Sequence, residues 1–171
     1  MKNLKVKPIN NTDAELIGDW MSQEENYRWL DFGAGHQMLT PINVRIMMQR
    51  DIHVIKVFTP DSEDFPIGVV ALSDIDRKAR TASLWYVLGD KKFAGRGYTA
   101  RAASKILGEG FTDLRLQSVY AWTVDNNAIS IRILERNGFR VIGRRRECHY
   151  LSGQIRDRLL FDLLASEYRE L

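Results

Sequence analysis

Gly95 and Gly97 sit between an apolar stretch and an amphipathic one, and they constrain this chain more than any other feature. Before them, Ser83 to Leu88 is rich in aliphatic and aromatic residues, the composition of a buried strand. After them, Ala102, Ala103, Ile106, Leu107, Gly110, Phe111 and Leu114 repeat at the spacing of one helix face. A glycine turn at a helix start lets a ligand approach the backbone, where the free N–H groups of the first turn point at it. The partial positive charge of a helix N-terminus favours a phosphate guest, and Lys92 and Arg96 flank the turn.

Gly95-Arg96-Gly97-Tyr98-Thr99-Ala100 formally matches the G-x-G-x-x-G/A turn of dinucleotide-binding folds. That turn belongs after the first strand of a parallel βαβ array, whereas here it follows an antiparallel meander. No G-x-x-x-x-G-K-[ST] occurs, which excludes a P-loop. A turn that only tightens packing is a further reading. Lys92-x-x-Gly95-x-Gly97 also resembles the [RQ]-x-x-G-x-[GA] loop of the GNAT acyl-CoA N-acyltransferases, with Lys for the usual Arg or Gln.

A length of 171 residues predicts one domain, residues 1–171. A hydrophobic content of 44% with 27% charge matches a soluble globular protein, and a net charge of +3 is too small to argue for nucleic acid. Arg144-Arg145-Arg146 reads as a solvated strand end. One cysteine, Cys148, excludes an intrachain disulfide and a cysteine-rich metal site, and it is expected in the core. His36 and His53 show no metal-ligand spacing, so no metal is expected. The start, Met1 to Val6, lacks a signal-peptide core, and no run approaches a membrane span, so a cytoplasmic protein is expected.

In chain order, Leu4 to Ile9 alternates as a first strand. A helix starts at Asn11 or Thr12, with Thr12-x-x-Glu15 as capping box. Met21 to Leu39 reads as irregular and aromatic, either packing on the sheet or walling a substrate pocket with Trp29 and Phe32. Thr40-Pro41 opens a second helix to about Arg50. Strands follow at Ile52–Phe58 and Ile67–Leu72, with a polar turn from Asp74 to Arg80. Beyond the glycine helix, Ser118–Trp122 must lie parallel to the strand before it. A last helix, Ala128 to Asn137, closes on Gly138, and Phe139–Tyr150 with Ile155–Leu164 makes a closing hairpin through Ser152-Gly153.

The segment Asn127-Ala128-Ile129-Ser130 to Glu135-Arg136-Asn137-Gly138-Phe139 resembles the N-x-x-[SA]-x-x-[LVI]-[YLF]-[EKR]-[KR]-x-G-F signature of GNAT proteins. It follows the glycine loop across one strand, as in that family. The Gly153-x-x-x-Asp157 hairpin is similar to the branch of ribosomal-protein N-terminal, polyamine and aminoglycoside or amino-sugar acetyltransferases. The resemblance runs from about Leu4 to Leu164. It implies an α+β GNAT fold: a mixed, mostly antiparallel sheet of about seven strands, splayed between strands four and five and flanked by four helices.

The resemblance also implies acetyl-CoA as co-substrate. Its pantetheine would lie along Val87, Leu88 and Gly89, with a backbone N–H near Leu88 as oxyanion donor. Its pyrophosphate would meet Lys92, Ala94, Gly95, Arg96, Gly97, Tyr98 and Thr99, with Asn127 and Ser130 opposite. Trp29, Phe32, Trp85 and Trp122 are candidate acceptor walls.

The position where many members carry a proton-donating tyrosine is Leu134, so the acid role passes to Ser130, which otherwise bonds helix backbone or CoA. Glu147 and His149 lie two apart on a strand and so share one face; either is a candidate base, with a water chain as the third. The expected function is N-acetylation of a small-molecule amine or a protein N-terminus, with neither nucleic acid nor membrane as partner. A homodimer is compatible with this reading. The alternative is a degenerate GNAT domain that binds CoA and acts in regulation or assembly.

Overall fold

The computed structural model describes residues 4–171; Met1, Lys2 and Asn3, part of the segment read as lacking a signal-peptide core, lie outside the described residues. Strands β1 (Leu4–Pro8), β2 (Val54–Pro60), β3 (Gly68–Asp76), β4 (Thr81–Leu88), β5 (Ser118–Val124), β6 (Arg140–Leu151) and β7 (Gln154–Leu164) form one sheet in the order β1-β2-β3-β4-β5-β7-β6. All neighbours are antiparallel except β4 and β5. The helices are α1 (Asn11–Met21), α2 (Glu24–Tyr27), α3 (Pro41–Met48), α4 (Tyr98–Thr112) and α5 (Ala128–Arg136). The expected mixed sheet is present, and the added helix is α2, one turn inside the stretch read as irregular.

The parallel pair is short. β4 and β5 pair only at Thr81–Ser118, Ala82–Val119 and Ser83–Tyr120, and then separate. The splay leaves strand edges facing each other across a gap. Gly89 N–H donates to Ile67 O, so the antiparallel alternation turns the backbone groups of Val87 and Trp85 toward β3. Those of Leu84, Tyr86 and Leu88 turn toward the gap. On the other side Asp125 N–H donates to Asp157 O, which turns Trp122 and Val124 into the gap by the same rule.

Each face of the sheet carries its own core. One contains Phe58, Leu72, Leu84, Ile106, Leu107, Val119 and Phe161, with α4 packed on the strands. The other joins Ala14, Ile17, Trp20 and Met21 of α1 and Val44 of α3 to Val57, Val69 and Val87.

Several local expectations differ from the structure. The capping box of α1 is Asn10 with Asp13, whose side chains bond each other's backbone N–H, and not Thr12 with Glu15. An Asn side chain in an extended Ncap residue reaches the N3 amide directly. The box thus lies two residues earlier than expected, while the helix starts at Asn11, the earlier of the two expected positions. β3 does not stop at Leu72; it continues through a bulge at Ser73/Asp76, where Asp74 takes φ 52°. α5 ends at Arg136 with Asn137 as C-cap, and Gly138 follows at φ 84°. Cys148 is half-buried rather than in the core, its thiol directed at Arg145 O.

The Cys148 difference and the fate of Glu147 have one cause. β6 carries two extra residues between Arg145 and His149, with Glu147 at φ 50°, so strict alternation fails there. Glu147 is exposed while His149 is buried.

Gly89 is required by packing. A Cβ there would stand 2.0 Å from Trp20 Cε2, inside the ring system. Gly89→Ala is expected to lower unfolding free energy by about 1–3 kcal/mol through overpacking, seen as a lower urea midpoint. An unchanged midpoint would show that Trp20 moves aside freely.

Candidate active site

The glycine turn stands at the end of β4, where the gap is widest. Gly95 and Gly97 have φ 74° and 75°, the left-handed region that side chains disfavour. Gly97 caps α4 without a side-chain hydrogen bond, and the first intrahelical bond of the turn runs from Arg101 N–H to Gly97 O. The N–H groups of Tyr98, Thr99 and Ala100 therefore lack helical partners and face the turn. A single 3₁₀ turn, Lys91–Phe93, joins β4 to this loop.

Neither cation that the sequence reading placed at the turn lines the cleft. The Arg96 guanidinium lies over the Phe93 ring at 5.2 Å, and Lys92 is exposed outside the cleft lining. Arg136 from the last turn of α5 instead brings Nη1 to 3.5 Å from where a Gly97 Cβ would be. Arg132, one turn earlier, also lines the cleft. Sequence reasoning missed both, although their i, i+4 spacing on a helix opposite the turn is legible. Lys91, also missed, lines the cleft and donates to Leu88 O at 2.6 Å.

The cleft encloses about 1450 Å³ and runs between β4 and β5 from the glycine turn to the aromatic segment after α2. Val87, Leu88, Ala94, Gly95, Gly97, Tyr98, Thr99, Asn127 and Ser130 all line it. Gly89 does not, and its N–H is already taken by Ile67 O. Asn127 is the N-cap of α5: its Oδ1 accepts from Ser130 N–H at 3.1 Å, which leaves its amide NH₂ for a ligand. Tyr86, also missed, reaches across the gap and donates its hydroxyl to Ser130 O at 3.2 Å. Burial pushes the Tyr86 phenol far above its usual range, so it remains a donor at neutral pH. Leu134, at the position of the family's tyrosine, is core.

The opposite half of the cleft is aromatic. Trp29, Phe32, Trp85, Tyr120 and Trp122 line it, and Phe32 meets Trp85 edge-on at 5.2 Å between centroids. Trp85 Nε1–H is tied to Ser73 Oγ at 2.8 Å. Beyond it lies a polar corner: Asp74, Ser83, Tyr120 and His53. Ser83 Oγ approaches Asp74 Oδ2 at 3.2 Å. Burial pushes the Tyr120 phenol up, and the Asp74 carboxylate adds to the shift. Burial also lowers the His53 imidazole below its usual value, with Asp74 opposing and Arg50 reinforcing.

Neither base candidate stands in this lining. Glu147 is exposed on the bulge, its backbone N–H donating to Asp157 Oδ1 at 2.8 Å. His149 is buried with both ring nitrogens engaged. Its Nε2–H donates to Arg28 O at 2.7 Å, and its Nδ1 accepts from Arg158 at 3.0 Å. Burial lowers its pKa; the Arg28 carbonyl opposes that and Arg158 adds to it. A neutral ring so engaged has no lone pair left for an incoming proton.

The cleft thus joins a splayed parallel pair, a helix N-terminus with unbonded backbone N–H groups at one end and aromatic side chains at the other. The family model for the acetyltransferase (GNAT) domain matches residues 3–140, and the chain belongs to that family. It is an acetyl-CoA-dependent N-acetyltransferase. Over 173 residues it is 24% identical to the uncharacterized N-acetyltransferase p20 of Bacillus licheniformis, spanning 98% of this chain and 96% of that protein. The spermidine N-acetyltransferase of Vibrio cholerae, solved with CoA and spermine, superposes with TM-score 0.84 at 19% identity, covering 96% of this chain and 97% of that one. The ribosomal-protein-S5-alanine acetyltransferase of Vibrio fischeri superposes with TM-score 0.79 at 20% identity, covering 99% and 97%. At those identities the two structures establish the fold. Among the described residues no helix is long and apolar enough to cross a membrane.

Proposed function

We propose that this chain, acting as one cytoplasmic domain, transfers acetyl from acetyl-CoA to a primary amine of a cationic small molecule. The observation that carries the acceptor class is the polar corner. Of the cleft carboxylates, Asp31 is bound to Arg158 and Glu25 lies in the field of Lys91. Asp74, by contrast, shows no ion pair among the described residues and meets the Ser83 hydroxyl, with Tyr120 and His53 as neighbours. A carboxylate flanked by hydroxyls and aromatic rings suits an ammonium group. Such a corner also suits an acceptor carrying more than one cation.

CoA would lie with its pyrophosphate on the N–H groups of Tyr98 to Ala100 and with Arg136 and Arg132 beside it. Its pantetheine amides would continue the sheet along Tyr86 and Leu88. A backbone N–H of that edge would take the thioester oxygen as it gains charge. The ammonium gives one proton to water in the open cleft, and the neutral amine attacks the thioester carbon. As the C–S bond breaks, the nitrogen gives its second proton to the cleft water and Ser130 passes its hydroxyl proton to the departing thiolate. The serine regains a proton from that water. His149 and Glu147 stand outside these steps.

An acceptor screen of polyamines, aminoglycosides, amino-sugar nucleotides and N-terminal peptides, scored by thiol release, tests this reading. Spermidine is expected to be turned over, and Asp74→Asn to lower its kcat/KM by about tenfold, the loss of one charge-assisted contact. Turnover of peptides alone would replace the small molecule with a protein N-terminus.

A further inference from the structure

We infer that Asp31, Arg158 and His149 form a positioning unit that docks the Arg28–Gln37 segment against the acceptor half of the cleft. The segment carries Trp29 and Phe32 and has no regular structure of its own between α2 and α3. Asp31 shapes it from within, its Oδ1 accepting from Gly33 N–H at 2.8 Å and Gly35 N–H at 3.2 Å. That turn uses left-handed backbone at Gly33, Ala34 and Gly35. The other oxygen, Oδ2, holds Arg158 Nη2 at 2.6 Å, and Arg158 is rooted in β7. Each carboxylate oxygen thus does a separate job: one folds the loop, the other fastens it.

Arg158 is buried, and its guanidinium lies 3.9 Å from the centroid of Trp122, on the cleft wall. His149 supplies the second attachment, bonding Arg158 with one nitrogen and the Arg28 carbonyl with the other. Gln37 Nε2 closes the far end on Tyr150 O at 2.9 Å, and Ser152 donates to Glu24 at 2.8 Å. The hairpin of β6 and β7 therefore clasps the loop at both ends, and the loop sets Phe32 against Trp85. The groups facing His149 are Arg158, Trp122, Gln37 and the Arg28 carbonyl, with the Asp31 carboxylate beyond Arg158.

Burial would raise the Asp31 carboxyl, but the Arg158 and Gly33 hydrogen bonds outweigh it and hold the group below its usual value. The pair is therefore charged at neutral pH. His149 has the opposite requirement, because its lowered pKa means that the clasp binds the neutral ring. Its contribution is full above the unfolded-state pKa near 6.5 and declines as pH falls below that value.

Hydrogen–deuterium exchange on the full chain tests the clasp without needing an acceptor. The reporters are the Phe32 N–H, bonded to His36 O at 2.7 Å, and the His36 N–H, bonded to Gly33 O at 2.9 Å. Asp31→Asn keeps the turn acceptor and removes the charge facing Arg158; Arg158→Met removes the other partner. Both are expected to speed exchange over residues 29–38 by about tenfold or more, while CoA affinity by calorimetry is unchanged. His149→Ala is expected to do the same, and His149→Gln, which ends in one donor and one acceptor, to restore protection.

The activity arm rests on the proposed acceptor class and uses spermidine. A displaced loop is expected to raise KM about tenfold with a small change in kcat, and the acid limb of the pH–rate profile to persist in His149→Gln. Wild-type exchange in Asp31→Asn and Arg158→Met would overturn the clasp. Equal loss of kcat and of the acid limb in His149→Ala and His149→Gln would make His149 a proton acceptor instead. If spermidine is not turned over, the acceptor reading fails and exchange alone decides the clasp.

Discussion

Gly97→Glu is expected to weaken CoA binding by on the order of 100-fold, the largest effect of any single change in the cofactor half. At φ 75° a side chain of any kind is strained by about 1–3 kcal/mol. The new side chain would also begin with its Cβ 3.5 Å from Arg136 Nη1, so its carboxylate can pair with that guanidinium and take it away from phosphate. It would set a negative charge against the three N–H groups at the start of α4, where a second anion is repelled. Each factor of ten in Kd is about 1.4 kcal/mol, so the lost cation and the repulsion between the new carboxylate and phosphate together reach 100-fold at about 2.8 kcal/mol. The backbone strain, present with and without ligand, shows as lower stability. Gly97→Ala carries the strain alone and is expected to lose far less. Equal binding by wild type and Gly97→Glu in calorimetry would move the pyrophosphate to another part of the chain.

Ser130→Ala is expected to lower kcat by about 10²–10⁴-fold while leaving CoA affinity nearly unchanged. The hydroxyl is asked to act when charge develops on sulfur, and general-acid groups contribute in that range. Ser130 lines the cleft at the first turn of α5, with its backbone N–H capped by Asn127. The substitution leaves that cap in place, so the helix start should survive. Tyr86→Phe is the necessary companion, since the Tyr86 hydroxyl reaches the same turn. Loss of kcat in Tyr86→Phe with none in Ser130→Ala would transfer the acid role to the phenol. Weaker CoA binding in Ser130→Ala with unchanged saturated turnover would make Ser130 a binding residue.

The glycine turn and the start of α5 were legible in the sequence because their constraints are local. Gly95 and Gly97 need left-handed backbone, and Asn127 caps a helix three residues on; each is a rule about neighbours in the chain. The splay was legible only through the family resemblance. In the structure it is a matter of register, with parallel pairing stopping after Ser83 and Tyr120.

The acceptor half was poorly legible. The two extra residues between Arg145 and His149 keep the alternation in phase on either side but throw Glu147, at φ 50°, out of it, and no pattern in Arg144-Arg145-Arg146-Glu147 announces that. Alternation therefore put Glu147 and His149 together, and the bulge separated them. Arg158 and Asp31, 127 residues apart, carry no mark of their pairing.

By itself the sequence determined the order of the strands and of the longer helices, the glycine turn and the α5 cap, because hydrophobic period, backbone preference and capping act over a few residues. Its two motifs carried the family resemblance. Tertiary structure alone decided that Arg136 approaches the glycine turn, that Asp74 faces the cleft beside Ser83 and that His149 is buried against Arg28 and Arg158. Those outcomes depend on how β6, β7 and the loop after α2 meet across the sheet. There a side chain's charge and hydrogen bonds are set by burial among residues distant in the chain.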